Sequence, residues 1–368
     1  MKIRAQKTEL QKSIRTVMSA VPSKTTMEIL NCILIDATVD QIQFTATDTE
    51  LGIRTVVSGE IDERGLICLD AKLFSDIVSK LPDSEVTIVT DERLQTRITC
   101  ENTELLIMGQ DGTEFPRIQS YDSENPIVMN QFAMKEMIEQ TIFSIAVNDA
   151  NKLMTGALLE THENELRMVC LDGHRIAIRR LMLDAVTSDF RVVIPGKTLS
   201  DLQKIMTGEE KDQISISIME NEVLFEMEKT IVISRLIEGN YFRIDQMLSN
   251  DFDTVIKVSR SALASSVSRA MLFTSETEKR PLVFDIVDND MNLRISSPSR
   301  GSMSDDLEIQ KEGKDLKIGF NPKFIQDVLN VVKDEEITAY FIDSRSPCFI
   351  RNESQSYIYL ILPVNFLV

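Results

Sequence analysis

The residues able to carry acid–base or metal chemistry are few, or poorly placed for it. His162 and His174 are the 2 imidazoles in a chain of 368 residues. One lies in the tetrad Asp172-Gly173-His174-Arg175, where acid, imidazole and guanidinium stand side by side. A hydrolytic site needs a nucleophile held by a base, or metal ligands at set spacing, and neither pattern surrounds this tetrad. It reads instead as a tight turn after ELRMVCL, with Gly173 supplying the turn and His174 exposed. Cys32, Cys68, Cys100, Cys170 and Cys348 are odd in number and far apart, so they read as reduced, buried thiols. The 58 carboxylates are spread through turns and exposed alternations. A magnesium site would gather two or three of them on rigid strands. No cofactor or metal is expected, and a metal-dependent nuclease stands only as the alternative.

The elements that position these residues come in three copies. Leu10, Met134 and Leu263 occupy matching places in short amphipathic helices, 124 and 129 residues apart. Leu73, Leu199 and Phe324 form a second series at 126 and 125 residues. Solenoid units repeat every ~20–50 residues, so this period is a whole domain copied three times. Each copy predicts a strand, a helix, paired strands, then a strand, a second helix and further paired strands. Alternations such as VTIVTD with TRITCE, or ISISIME with VLFEMEK, predict antiparallel meanders. Asp70, Pro195-Gly196 and Asn321-Pro322 mark the starts of the second helices. The fold class is therefore α+β, with two helices on antiparallel sheets in each of three domains: 1–122, 127–248 and 253–368. The linkers Ser120–Pro126 and Ser249–Asp253 are short and polar, which predicts a fixed arrangement over three independent beads.

Composition narrows the partners. No apolar run approaches the ~20 residues of a membrane span, and MKIRAQKTELQ has no apolar signal region. A cytoplasmic protein with no membrane partner is expected. The net charge of −18 argues against a polyanion, but its distribution does not. Eleven basic residues lie on the six predicted helices: Lys7, Lys12, Arg15, Lys72, Lys80, Lys135, Lys197, Lys204, Arg260, Arg269 and Lys323. Set against seven acidic ones, they put +4 on the helices and leave −22 for strands and loops. A basic helical face on an acidic body favours duplex DNA there and repels it elsewhere. A non-DNA-binding acidic scaffold is the other alternative.

Six helices side by side at ~10 Å close to a circle ~19 Å across between axes, too tight for a duplex. Twelve give ~38 Å, which leaves room for a hydrated duplex once helix radii of ~5 Å are subtracted. A head-to-tail homodimer is the smallest ring that works, and heterologous contacts close by rotation.

Five segments then carry a resemblance: CLDGHRIAIRR (Cys170–Arg180), VVIPGKTLSDL (Val192–Leu202), SRLIEGNY (Ser234–Tyr241), IGFNPKFIQDVLN (Ile318–Asn330) and YLILPVN (Tyr359–Asn365). In order, over the whole chain, they resemble the bacterial DNA polymerase III beta subunits, the sliding clamps. The resemblance implies three clamp domains forming half of a closed ring, loaded on DNA by a clamp-loader complex. It further implies partnership with the DNA polymerase III alpha subunit and other proteins bearing a clamp-binding motif. These would share a hydrophobic pocket between the second and third domains. The matching positions are Met154, Leu171, Gly173, His174, Arg175 and Ile176, then Phe242, Gln246 and Met247. Leu360, Ile361, Leu362, Pro363, Val364, Asn365 and Phe366 complete the set.

Such an apolar cleft suits a short extended peptide with one Gln and Leu- or Phe-like anchors, and methionine lets it accept several sequences. The resemblance adds Lys24 to the DNA-facing set and pairs Leu105 and Ile107 with Leu272 and Phe273 across the ring closure. The chain departs from the family pattern at Tyr241-Phe242, at Gln246, and in the extra residues Leu367 and Val368.

Overall fold

The computed structural model describes residues 1–118, 126–185, 188–275 and 280–366. The expected linker at 120–125 and the tail residues Leu367 and Val368 lie outside the described residues. Six α-helices appear among them, at or near the expected places: α1 Lys7–Met18, α2 Ala71–Lys80, α3 Gln131–Glu139, α4 Gly196–Ile205, α5 Arg260–Met271 and α6 Pro322–Val331. In α1, Leu10, Ser13, Ile14 and Val17 are buried, the i, i+3, i+4, i+7 stripe of a helix lying on a sheet. Asp70 caps α2, its Oδ1 accepting from Leu73 N at 2.7 Å. Asn321 caps α6, its Oδ1 accepting from Lys323 N at 3.1 Å, with Pro322 in the first turn.

The described residues fall into two compact units, Met1–Met134 with Asp201–Leu236, and Lys135–Ser200 with Ile237–Val368. The first unit holds a five-stranded sheet in the order Gly59–Glu63, Lys2–Gln6, Glu85–Thr90, Gln95–Cys100 and Thr103–Met108. Its other sheet has eight strands, and in it the last strand of the second repeat, Thr230–Arg235, pairs with Leu51–Val57 of the first. The second unit holds a nine-stranded sheet in which Arg175–Met182 of the second repeat pairs with Tyr357–Ile361, the last strand of the third. Its four-stranded sheet runs Gly301–Glu308, Asp290–Ser297, Leu282–Val287 and Leu316–Phe320. All the pairings are antiparallel.

Continuous sheets thus cross the repeat boundaries, which overturns the picture of independent beads. At the first junction Thr55 and Thr230 also share a hydroxyl hydrogen bond of 2.8 Å, both buried. Burying paired backbone groups along the seam leaves no edge to solvate there.

Candidate partner-binding site

The second junction carries the tetrad. Strand Glu165–Leu171 turns back into Arg175–Met182 with Leu171 opposite Ile176. Gly173 sits at φ +83°, a left-handed conformation that glycine adopts without strain. Asp172 Oδ1 accepts from His174 N at 3.0 Å and from Arg175 N at 3.1 Å, fixing the turn. The Arg175 side chain runs inward: Nε donates to Asp172 Oδ2 at 2.9 Å, Nη1 to Asp327 Oδ2 at 2.6 Å and Nη2 to the Phe143 carbonyl. Its guanidinium lies 4.5 Å from the Phe324 ring centre, and His174 stacks on that same ring at 6.1 Å. The tetrad is a turn bolted to α6.

Met154, Leu171, Ile176, Phe242 and Leu360 come together in one apolar cluster with Tyr241, Ile244 and Phe349. Around them Gly173, His174, Gln246, Met247, Leu362 and Asn365 are exposed, Leu362 by 37% and Met247 by 47%. Pro363, Val364 and Phe366 are half-buried. Two expectations need correction. Arg175 is 7% exposed and spends its donors on the network above, so it holds the wall and does not present itself to a ligand. Ile361 points into the core of the third repeat, because successive strand residues face opposite sides of the sheet.

The short turn Ile244–Met247, which bears Gln246 and Met247, is tied down by charge. Arg167 Nη1 lies 2.6 Å from Asp245 Oδ1 and the same guanidinium pairs with Glu160. Arg191 Nη2 donates to the Phe242 carbonyl at 3.1 Å. The Arg167 hydrogen bond holds the Asp245 carboxyl below the usual carboxylate range. Sequence reasoning missed Asp327 and Phe324 as supports. Their i, i+3 spacing on α6 was the available signal.

The basic set is placed less uniformly. Lys12, Arg15 and Lys204 line one cavity of about 400 Å³ with the hydroxyls of Thr8, Thr16 and Ser19. Lys24, Lys72, Lys80, Lys197, Arg269 and Lys323 are exposed, and Lys7, Lys135 and Arg260 are half-buried. Several already have partners: Lys204 with Asp201 at 2.9 Å, Arg269 with Asp305, Lys323 with Asp327 at 3.8 Å, and Arg260 with the Asp334 carbonyl at 2.9 Å.

For the apolar pairing, Leu105 and Ile107 are half-buried, while their neighbours Leu106 and Met108 are 57% and 62% exposed. Leu105 and Ile107 thus share one face of this strand, and Leu106 and Met108 the other. Leu272 is 70% exposed, and Phe273 packs partly against the third repeat's core.

His162 is exposed and 3.1 Å from Asp189, which raises its pKa. All five cysteines are free and buried, and burial pushes the Cys32 thiol up to about 11 and Cys170 to about 12. Among the described residues no group of three or more His, Cys, Asp and Glu is arranged to hold a metal, and no helix is long and apolar enough to cross a membrane.

Comparison with known proteins gives matches along the length of the chain. Models of the DNA polymerase III beta subunit match in order: the N-terminal domain over 1–119, the central domain over 128–242 and the C-terminal domain over 245–365. The fold superposes on a protein of Eubacterium rectale assigned as a DNA polymerase III beta subunit, with a TM-score of 0.96, 49% identity and 100% of both chains covered. The DNA polymerase sliding clamp of Bacillus subtilis gives 0.95 and 31%, again over 100% of both chains. The beta sliding clamp of Staphylococcus aureus is 29% identical over 361 residues, 95% of this chain and 96% of the relative.

Proposed function

Since the chain belongs to the DNA polymerase III beta subunit family, the sliding clamps, we propose that two copies close head to tail around duplex DNA and tether the replicative polymerase without performing chemistry. One observation carries the reading. In each repeat the third strand after the first helix and the last strand of the repeat have corresponding places: Leu51–Val57, Arg175–Met182 and Gly301–Glu308, and then Thr103–Met108, Thr230–Arg235 and Tyr357–Ile361. Two of the possible pairings are made within the chain. The remaining two strands, Gly301–Glu308 and Thr103–Met108, end their sheets with open edges. They are the two halves of a third junction that only another copy can complete.

The register follows from the two existing junctions. Thr230 opposite Thr55 and Tyr357 opposite Arg179 translate to Thr103 opposite Asp305 of a second copy, and Leu106 opposite Ser302. The same register puts Leu105 opposite Met303 and Ile107 opposite Gly301, on the face where α5 reaches Asp305 through Arg269, so Leu105 and Ile107 meet Leu272 and Phe273 there. The three domains are 1–122, 127–248 and 253–368, with DNA on the basic helices. Clamp loader, polymerase alpha subunit and other motif-bearing partners dock by a short peptide in the cluster around Leu360 and Leu362. Contacts to phosphate that ignore sequence permit sliding, while closure prevents loss.

The test is a loading assay on nicked circular DNA with a clamp loader. Retention that ends when the circle is cut supports the reading, and no retention at all defeats it. Cleavage of the DNA in magnesium would favour a nuclease. Leu105→Asp and Leu272→Asp should each shift the protein to monomer in sedimentation. A dimer that persists in both removes this interface.

A further inference from the structure

The four-stranded sheet of the third repeat has a face turned away from its core, and a cavity of about 720 Å³ opens there. One row across the sheet reads Ser304, Arg294, Val283 and Gly319. Where the row reaches Gly319 there is no side chain, and Phe366 takes the space: a Cβ there would sit 2.7 Å from the ring. Val364 N donates to the Gly319 carbonyl at 2.8 Å, so the C-terminal segment runs along the edge of this sheet. Phe366 and Asn365 form one wall of the cavity, and Pro281 and Val283 provide apolar lining.

The charges at this cavity are of one sign. Arg280, Arg294 and Lys317 line it, and among its described lining residues there is no carboxylate. Asp285 stands nearby, 3.8 Å from Arg294 and 3.7 Å from Lys317, too far for a good hydrogen bond to either. Two cations therefore share one distant carboxylate, on a chain whose net charge is −18. The segment Leu362–Phe366 joins this cavity to the apolar cluster at the second junction, a reach of at most ~18 Å for five extended residues.

We propose that the cavity is a second subsite for the same partner peptides, taking an acidic stretch that flanks the apolar anchor. The inference rests on the peptide-site reading above and adds a charge preference to it. Carboxylate side chains meet Arg294 and Lys317 while alternate apolar ones lie on the floor. That floor, and a single aromatic wall with nothing to continue a stack, suit a peptide better than single-stranded nucleic acid.

Two labelled peptides test it by fluorescence anisotropy. Both carry one Gln and Leu/Phe anchors; one adds four Asp and the other four Asn. The Asp peptide should bind about fivefold tighter at low salt, as expected for a few partly exposed ion pairs, and the gap should close as salt rises. The gap should vanish in R294Q/K317Q and survive in R294K/K317R. Equal affinity for both peptides in the unaltered protein overturns the subsite and leaves the apolar site standing. A gap that persists in R294Q/K317Q places the acids elsewhere and also overturns it. If neither peptide binds, the peptide-site reading falls and the subsite falls with it. Two further outcomes count against the proposal. One is an oligothymidylate that binds with the same dependence on both residues. The other is R294Q/K317Q becoming monomeric in sedimentation, which would assign the cations to contact between copies.

Discussion

The two junctions use one backbone plan and opposite side-chain chemistry. At the first, Thr230–Ser234 pairs with Leu51–Thr55, and at the second Tyr357–Ile361 pairs with Arg175–Arg179. By position, Thr47 answers to Leu171, Glu50 to His174, Pro116 to Phe242 and Arg235 to Leu362. The first junction also has a cavity, of about 340 Å³, but Glu50, Arg117, Glu222 and Arg235 line it. Ile118 is folded into it, packed on Gly52. A Leu or Phe anchor entering there would strand charges away from water, whereas at the second junction it meets Leu360 and Leu362. The scaffold was copied with the domain, and the apolar character of the second junction resides in about four substitutions.

That contrast is open to attack at three levels. The largest effect should be on stability. Arg175→Ala strips Asp172 and Asp327 of a largely buried partner and should cost roughly 3–5 kcal/mol in urea unfolding. Thr230→Val at the first junction removes one hydroxyl hydrogen bond and leaves Thr55 Oγ1 donating to the Lys229 carbonyl, so it should cost only about 1 kcal/mol. Equal losses would mean that charge is not what distinguishes the two seams.

Next comes affinity. Leu362→Ala should weaken a Gln- and Leu/Phe-bearing peptide by about tenfold, in line with losing most of one buried side chain. Arg235→Ala, its counterpart, should change nothing. A comparable loss in both would place the peptide at both junctions.

The smallest effect is with pH. Arg167 lowers the Asp245 pKa, so that pair stabilises the folded turn above the unfolded value of about 3.9. The contribution is lost as pH falls through the lower folded value. Carbon-detected NMR should show Asp245 titrating below an ordinary Asp, and Arg167→Met should return it. A normal titration in the unaltered protein removes the tether holding Gln246 and Met247.

Much of this was legible in the residues, and the exceptions have physical causes. Helix starts at Asp70 and Asn321 follow from local capping, and alternation located the strands that flank them. Pairing of Thr230–Arg235 with Leu51–Val57 joins segments some 175 residues apart, as in the Thr55–Thr230 bond, and no local pattern encodes it. The phase of Thr103–Met108 could not be read from alternation, because all of Leu105–Met108 is apolar. Arg175 was grouped with the pocket positions, and its burial could not be foreseen, since its counter-ion Asp327 lies 152 residues away. In the same way Ile361 was assigned to the cleft by its neighbours, although a strand's two faces separate it from Leu360.

The sequestered sulfurs have a practical corollary. With every native thiol out of reach of solvent, a maleimide or oxidant will find only cysteines that are deliberately introduced. Leu106→Cys with Ser302→Cys, which the proposed closure sets opposite each other on antiparallel neighbours, would then stand at a spacing that suits a covalent bridge. Oxidised around a plasmid, such a protein would stay threaded on the circle through detergent and heat, like a link in a chain.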